Sequence, residues 1–272
     1  MRFVITALCA LLLATSSMGP ATLAADDLQS GASPSASPTV LITGASRGLG
    51  FEFARQYAEL GWNVVATVRD PARAAELDEL KKKHPSVYIE KMDVTDHASV
   101  DALARKLEGR PIDVLLNNAG VFGNPGDFRL GSIKFEEFDA FFRTNALGPL
   151  KVSEAFLPHV KASAHKKIVA VSSLAGSFAA RGGGMPGHYF YKGSKAALNM
   201  FIVTLAGDTK KDGIIVTALS PGMVDTRGGA MKGMPGLTEI DASISGMIKV
   251  IDGLTPEQSG TWIRYTGEPA AW

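Results

Sequence analysis

The sequence predicts an α/β fold with a doubly wound, mostly parallel sheet of about seven strands and helices on both faces. Apolar runs such as VLIT at 40–43 and VLLN at 114–117 lack the polar alternation of a half-exposed strand. Such runs are typical of parallel strands that are buried on both faces. They alternate with amphipathic helical patterns along residues 40–272. Because polar or glycine-rich segments follow strands one, four, five and six, we expect ligand-binding groups along the carboxyl edge of the sheet.

Seven β-rich apolar segments are predicted as strands, and the helical patterns between them end at recognisable signals. The first helix is closed by Gly61, which follows its last residue, and the second ends in the lysines 81–83, which suit the negative end of a helix dipole. Pro221 and Gly222 stop the sixth strand. The predicted strands are 39–43, 63–68, 87–92, 112–116, 168–172, 214–219 and 261–265. The predicted helices are 49–60, 72–83, 98–108, 135–160, 191–209 and 238–251.

The first 25 residues are expected to lie outside the folded body. Arg2 is the only charged residue before Asp26, and residues 3–14 form an apolar run that is too short to span a bilayer. Together with the small residues at 21–25, this pattern predicts a secretory signal at 1–25. The protein is then exported if the signal is used and cytoplasmic otherwise. An uncleaved interfacial anchor and a misassigned start codon are the alternatives.

The rest of the chain is predicted to form one domain behind a short tether. Residues 26–39 include a Ser/Ala/Pro-rich stretch without apolar periodicity, and residues 40–272 suit a single domain with a sizeable core. The only cysteine is Cys9, so a processed chain would carry no thiol, which is compatible with an oxidising compartment. A net charge of +1, with no basic stripe, no metal-spaced His/Cys cluster and no second long apolar run, argues against a nucleic-acid site, a metal site and a stable membrane span.

A glycine loop after the first strand predicts a binding site for a dinucleotide. Gly44, Gly48 and Gly50 lie between a strand and a helix in TGASRGLG at 43–50. Phosphate binds to bare backbone N–H groups at a helix N-terminus, and residues without Cβ let it approach. The spacing GxxxGxG departs from the commoner GxGxxG, and a tight strand-to-helix turn alone would also use glycine. The strand-to-helix context favours nucleotide binding.

The choice between NAD(H) and NADP(H) depends on the end of the second strand. A carboxylate there would bind the ribose hydroxyls of NAD, but the segment 64–69 contains none before Asp70. Arg47 and Arg69 can instead bind a 2′-phosphate through paired N–H groups. We therefore expect NADP(H) to be preferred. NAD(H) stays open, because two surface arginines with Asp70 on a ribose would give the same pattern.

Tyr191 and Lys195 predict the chemistry of the site. They are four residues apart and therefore share one face of a helix. A phenol with an ordinary pKa of about 10 is a poor base near neutrality, and a neighbouring ammonium would lower that pKa. Ser173 follows the fifth strand, where it can bind a carbonyl oxygen as that oxygen gains charge. Tyr189 is a rival phenol that has no lysine four residues on. The group predicts hydride transfer to or from an aldehyde or ketone.

These motifs together resemble the short-chain dehydrogenase/reductase superfamily in its single-domain, Rossmann-type form, and they cover nearly the whole body in order. The segment 260–272 further resembles the carbonyl reductase subgroup of sniffer and C-factor-like proteins. The matching pieces are TGASRGLG at 43–50, DVTD at 93–96, NNAG at 117–120, Asn145, Ser172 and Ser173, YKGSK at 191–195, and SPGMVDT at 220–226.

The resemblance implies a role for each matched residue. Tyr191 would exchange the proton, Lys195 would lower its pKa and bind the nicotinamide ribose, and Ser173 would orient the carbonyl. Asn145 would hold a water in a proton relay to Lys195. The residues implied to bind the cofactor are Gly44, Ser46, Arg47, Gly48, Leu49, Gly50, Arg69, Asp93, Val94, Asn118, Ala119, Tyr191, Lys195, Pro221, Gly222, Val224 and Thr226. Relatives commonly pair through the helices that carry Asn145 and Tyr191, which suggests a homo-oligomer.

Two segments depart from the family pattern. The stretch between Ser173 and Tyr191 is longer than in most relatives and contains RGGGMPG at 181–187, which bears on specificity. Residues 227–236 predict either a flap over the pocket or a poorly ordered connection. Because subgroup relatives are intracellular, the predicted export also departs from the pattern. A second hypothesis is therefore an exported signalling or nucleotide-binding protein that does not depend on turnover.

Overall fold

The computed structural model describes residues 37–123, 129–184, 186–226, 233 and 235–272. The predicted signal at 1–25 and nearly all of the predicted tether lie outside the described residues, as does most of the predicted flap at 227–236. Residues 37–272 form one compact unit. Its first backbone contacts come before the first strand, where Asn63 donates to the carbonyl oxygens of Ser37 (2.8 Å) and Pro38 (2.9 Å).

A seven-stranded parallel sheet forms the centre of this unit, so the predicted fold class is confirmed. The strands of this sheet are β1 Thr39–Thr43, β2 Asn63–Val68, β3 Val87–Lys91, β4 Val114–Asn117, β5 Lys167–Val171, β6 Ile215–Ser220 and β9 Trp262–Arg264. Two further strands, β7 Met223–Val224 and β8 Leu237–Thr238, lie outside it. The order in the main sheet is β3-β2-β1-β4-β5-β6-β9. The short strands β7 and β8 pair separately, and the sequence analysis did not predict them.

The helices cover both faces of the sheet. They are α1 Gly48–Glu59, α2 Ala75–Lys83, α3 His97–Lys106, α4 Phe138–Phe142, α5 Gly148–Ala155, α6 Leu157–Lys161, α7 Tyr189–Thr209 and α8 Ile240–Asp252. Alternate residues of β1 enter different halves of the core. Val40 and Ile42 pack in a cluster with α1, α2 and α8, while Leu41 packs in a second cluster with α3, α5 and α7. This explains why the strands are apolar at consecutive positions.

The single helix predicted for 135–160 is wrong, because the segment is divided into several pieces. A π-helical turn at Arg143–Leu147 separates α4 from α5, and a further break at Phe156 separates α5 from α6. Pro149 has no N–H, so it cannot donate the α-helical bond to the carbonyl oxygen of Asn145. Pro158, two residues after Phe156, likewise cannot donate a helical bond, here to the carbonyl oxygen of Glu154. An apolar period alone does not report these interruptions.

Candidate active site

The site forms at the point where the order of strand addition changes, from one side of β1 to its other side. β1 and β4 are neighbours, although β2 and β3 come between them in sequence, so the loops after β1 and β4 meet at one crevice. The hydroxyl oxygen of Thr43 accepts the N–H groups of Asn118 and Ala119, both at 2.9 Å. The side-chain amide of Asn118 in turn donates to the carbonyl oxygen of Thr43 at 2.8 Å. The sequence analysis did not identify this role of Thr43.

The glycine loop is as tightly folded as a phosphate-binding turn requires. A Cβ on Gly50 would lie 2.3 Å from the carbonyl oxygen of Gly44 and 2.5 Å from Nδ2 of Asn118, so no larger residue fits at this position. Across the loop, Thr226 lies beside Gly48, with 3.4 Å from its Cβ to a Cβ built on the glycine. The segment after β6 therefore closes over the loop, and the residues present fit a dinucleotide at a helix N-terminus.

The charged groups near the ribose position fit a phosphate. Arg47 and Arg69 are both exposed, one in the glycine loop and the other directly after β2. Asp70, the rival ribose ligand, accepts a hydrogen bond from the N–H of Ala72 at 3.1 Å and so caps the turn Pro71–Arg73. One oxygen of that carboxylate is thus engaged by the backbone, and the two exposed arginines are cationic groups at this edge that could bind a 2′-phosphate.

The other predicted cofactor residues also follow strands at this edge. Asp93 follows β3 and accepts hydrogen bonds from the N–H (2.9 Å) and hydroxyl (2.8 Å) of Thr95, while Val94 is buried beside it. The carbonyl oxygen of buried Pro221 accepts a hydrogen bond from Ser243 at 2.7 Å. The remaining members are only partly covered or exposed and line the same edge: Ser46, Leu49, Gly222, Val224 and Thr226.

Tyr191 and Ser173 are brought together by α7 and the end of β5. Their side chains share a hydrogen bond, and the Ser173 oxygen also accepts the N–H of Ala175 at 3.2 Å. Loss of water contact raises the pKa of the Tyr191 phenol, while the Ser173 bond opposes the rise. The phenol therefore keeps its proton near neutrality and can act as an acid.

Lys195 lies one helical turn after Tyr191 and is 5% exposed. Its ammonium donates a hydrogen bond to the carbonyl oxygen of Val171 at 2.8 Å. Burial lowers the pKa of Lys195 to about 8. The sequence analysis expected Lys195 to lower the pKa of Tyr191, whereas burial sets the direction of both shifts in this structure.

Asn145 is fixed in the π-helical turn by hydrogen bonds on both sides of its amide. Its Oδ1 accepts the N–H of Val121 at 2.8 Å, and its Nδ2 donates to the carbonyl oxygen of Val121 (2.9 Å) and the hydroxyl of Ser194 (3.0 Å). Oδ1 and the Lys195 ammonium lie 3.3 and 3.9 Å from a Cβ built on Gly120. Both groups therefore flank the same glycine. Since the amide hydrogens are occupied, a relay water would be held through an oxygen of this residue.

Two further residues line the site, and no sequence motif indicated them. The ring of Phe122 packs against Tyr191 with 4.7 Å between centroids, and against His188 with 5.0 Å. His188 directly precedes α7. By contrast Tyr189, the rival phenol, is half-exposed.

The long segment between Ser173 and Tyr191 is tied to the end of the chain. The hydroxyl of Ser177 donates to the carbonyl oxygen of Ala271 at 2.7 Å. The N–H of Ala179 donates to the carbonyl oxygen of Trp272 at 3.0 Å. Trp272 in turn stacks on the buried Trp262 with 5.6 Å between centroids. The loop beside the catalytic helix is thus anchored to β9 through the last residues.

A family comparison agrees with this geometry: residues 38–233 match the short chain dehydrogenase model. The chain belongs to the short-chain dehydrogenase/reductase family. The C-signal protein of Myxococcus xanthus is 40% identical over 162 residues, which are 60% of this chain and 93% of that protein. Among solved structures, NADPH-bound carbonyl reductase from chicken fatty liver is 34% identical with a TM-score of 0.80, covering 87% of this chain and 99% of that one. Carbonyl reductase Sniffer of D. melanogaster is 29% identical with a TM-score of 0.78, covering 87% and 100%.

Membership of the short-chain dehydrogenase/reductase family confirms the resemblance, including the sniffer and C-factor-like relatives. The protein is accordingly an oxidoreductase of the kind that acts on C=O and CH–OH groups of a small molecule. In the part of the chain that the structure describes, no helix is both long and apolar enough to cross a membrane.

Proposed function

We propose that this short-chain dehydrogenase/reductase interconverts an aldehyde or ketone and its alcohol with NADP(H), and that Tyr191 is the acid/base. One observation carries the proposal: Tyr191 shares a hydrogen bond with Ser173 and lies one turn from Lys195, at the sheet edge that bears the glycine loop. The intact trio and the C=O chemistry of the family both support it.

The chain's own residues account for the proton and for the substrate's orientation. A nicotinamide cofactor held at this edge would supply or accept the hydride. Ser173 donates a hydrogen bond to the carbonyl oxygen, and Tyr191 delivers its proton to the same oxygen as charge develops there. The Lys195 ammonium stabilises the phenolate that remains and binds the nicotinamide ribose. Asn145, held rigidly in its π-helical turn, positions a water molecule through which Lys195 exchanges protons with solvent.

The cofactor preference is supported by the two exposed arginines and by the solved relatives. Arg47 and Arg69 would hold the 2′-phosphate, since a planar guanidinium binds phosphate oxygens through paired N–H groups. One oxygen of the Asp70 carboxylate is engaged by the backbone N–H of Ala72, which supports the arginines over Asp70 as the groups that select the cofactor. The chicken liver carbonyl reductase contains bound NADPH, which is consistent with the same choice here.

A second function is favoured by the likeness to the C-signal protein. On this hypothesis the chain is exported and binds a nucleotide or a partner without depending on turnover. Binding of NADPH is measured by fluorescence titration. Consumption of NADPH is then measured with a panel of aldehydes and diketones. Binding with no consumption of NADPH across the panel would favour this second function.

The decisive test of the oxidoreductase proposal is Tyr191→Phe. Removing the hydroxyl removes the proton donor while keeping the ring against Phe122, so turnover is expected to fall by at least about a thousandfold. Affinity for NADPH should stay nearly unchanged. Tyr189→Phe is the matched control, because it removes a phenol two residues away that is half-exposed, and it should keep wild-type turnover. Near wild-type turnover in Tyr191→Phe would refute the assignment.

A further inference from the structure

His188 has a backbone conformation that is costly for its residue type. It lies directly before α7 with φ 56° and ψ 38°, in the left-handed region. Glycine adopts this region freely, whereas a side chain with a Cβ is strained there. The imidazole does not offset the strain by capping the helix, since it makes no hydrogen bond to the first turn. Such strain concentrates at functional sites, which directs attention to what the side chain does.

The two ring nitrogens of His188 have different surroundings. Nδ1 lies 3.2 Å from the carbonyl oxygen of Pro186, which can only accept, so this contact assigns the proton of the neutral ring to Nδ1. Nε2 is then a bare acceptor. It is buried and has no hydrogen-bond partner among the described residues, in a side chain that belongs to a residue only 6% exposed. A buried acceptor without a donor is destabilising unless a ligand supplies one.

The imidazole is also close to the reacting groups. Phe122 contacts both His188 (5.0 Å) and Tyr191 (4.7 Å) through its ring, so the three aromatic groups form one wall. His188 directly precedes α7 and Tyr191 lies in its first turn, and their common contact with Phe122 places the two rings on one side of the site. A small molecule with its carbonyl at Tyr191 would therefore extend along Phe122 toward His188.

We propose that Nε2 of His188 forms a subsite that accepts a hydrogen bond from a hydroxyl group next to the reacting carbonyl. The inference rests on the proposed function and names its substrate class: hydroxy ketones and hydroxy aldehydes, or vicinal diols in the reverse direction. Phe122 supplies an apolar surface that keeps water from competing for Nε2. His188 exchanges no proton in the reaction; it selects among substrates.

Another buried histidine provides a matched control. His159 is 7% exposed and also has a ring nitrogen without a partner, while its Nε2 lies 3.1 Å from the carbonyl oxygen of Ala104. It packs against Phe156, at the break between α5 and α6. Replacing it changes a buried imidazole outside the wall described above, so substrate preference should not respond.

The experiment compares 2-hydroxyacetophenone with propiophenone, in which CH₃ replaces the hydroxyl. The ratio of their kcat/KM values is measured with NADPH for the wild type, His188→Gly, His188→Asn and His159→Gln. The hydroxy ketone is intrinsically the more reactive, so the change in ratio between variants is the signal. We expect His188→Gly to lower the ratio about tenfold or more. Asparagine tolerates the left-handed region and keeps an acceptor oxygen, so His188→Asn should have a ratio between those of His188→Gly and the wild type. His159→Gln should have the wild-type ratio.

Thermal unfolding separates a role in specificity from a role in folding. Glycine relieves the backbone strain and removes the unpartnered acceptor, which offsets the lost contact with Phe122, so His188→Gly should stay folded and unfold near the wild-type temperature. An unchanged ratio in His188→Gly would overturn the subsite and leave the proposed function intact. If the wild type consumed no NADPH with these or any other carbonyl compounds, the proposed function would fail and the subsite with it.

Discussion

Lys195 is a cation held in a place that disfavours its charge. Only one hydrogen bond, to the carbonyl oxygen of Val171, is recorded for its ammonium in the described structure, and burial lowers its pKa to about 8. The same burial raises the pKa of Tyr191. The two shifts favour a neutral phenol beside an amine that titrates near physiological pH. A bound ribose would give the ammonium a second partner beside the carbonyl oxygen of Val171.

The depressed pKa of Lys195 predicts how stability depends on pH. Unfolded lysine titrates near 10.4, so between about pH 8 and 10.4 the unfolded chain holds a proton that the folded chain has released. The free energy of unfolding contributed by Lys195 therefore rises with pH in that window. Lys195→Met should be the more stable protein at pH 7, and its advantage should shrink by up to about 3 kcal/mol toward pH 10.4, since one pKa unit is worth about 1.4 kcal/mol.

Denaturant unfolding of wild type and Lys195→Met at several pH values measures this difference. Comparing the two cancels the titration of Tyr191, which both proteins share. A stability difference that stays constant from pH 7 to 10 would contradict the assignment of a lowered pKa to Lys195.

At the scale of single residues, Arg47 and Arg69 also predict a preference for NADPH over NADH. The double variant Arg47→Ala, Arg69→Asp loses both guanidinium groups and places a carboxylate where the 2′-phosphate would lie. We expect the ratio of NADPH to NADH affinity to fall by about a hundredfold, because charge-assisted hydrogen bonds contribute about 1.5–3 kcal/mol each. Titration with both cofactors measures the ratio. Arg105→Ala, which removes an exposed arginine from α3, should not change it; an unchanged ratio in the double variant would show that neither arginine reads the phosphate.

At the scale of elements, the placement of Lys195 depends on how closely α7 approaches the turn after β5. A Cβ built on Gly176 would lie 2.7 Å from the carbonyl carbon of Lys195 and 2.8 Å from its Cβ. The turn that carries Ser173 can touch the helix backbone only because residue 176 has no side chain. Ser173 and Tyr191 come within hydrogen-bonding range for this reason.

Gly176→Ala is therefore expected to separate the turn from α7. We predict a loss of about 1–3 kcal/mol in the free energy of unfolding, as for other overpacked sites, together with a large loss of turnover. Gly207→Ala is the matched control in the same helix, because a Cβ there would meet no atom within 4 Å. That variant should gain about 0.5–1 kcal/mol and keep its turnover. Equal stability and turnover in the two variants would rule out the close approach.

What the sequence could predict at this scale follows from how local each signal is. The bounds of β1 and β2 were predicted correctly, because consecutive apolar residues and flanking turn signals are local properties. The π-helical turn at Arg143–Leu147 was missed, since its position depends on bonds from Asn145 to the distant Val121 and Ser194. His188 was missed for a similar reason: its unpartnered nitrogen and its contact with Phe122 exist only in the folded chain.

For the whole molecule, the strand order explains why scattered motifs form one site. The chain builds β1, β2 and β3 outward on one side, then returns to place β4 beside β1 and continues with β5 and β6. All of these strands are parallel, so the segments after β1, β4, β5 and β6 emerge at one edge. Alternation of strands and helices predicted that these segments meet at one edge, whereas their order along the sheet comes from the structure.

The compartment in which this molecule works is a property of the entire chain, and we propose that it is exported through the signal at 1–25. Processing should remove these residues, and N-terminal sequencing of the native protein should begin near residue 25 or 26 in an exported fraction. Leu12→Arg interrupts the apolar run and should leave residue 1 in place and the protein with cytoplasmic markers. Ser33→Arg, a charge added in the predicted tether, should be processed like the wild type.

A native wild-type protein that begins at Met1 and fractionates with cytoplasmic markers would contradict export. The result also bears on turnover, because NADPH is scarce outside the cytoplasm and an exported reductase needs its cofactor supplied there. If export is observed and the purified protein still reduces carbonyl compounds with NADPH, a source of the nucleotide must exist in that compartment. If export is observed without any reduction, the same pair of measurements favours the non-catalytic function over the oxidoreductase.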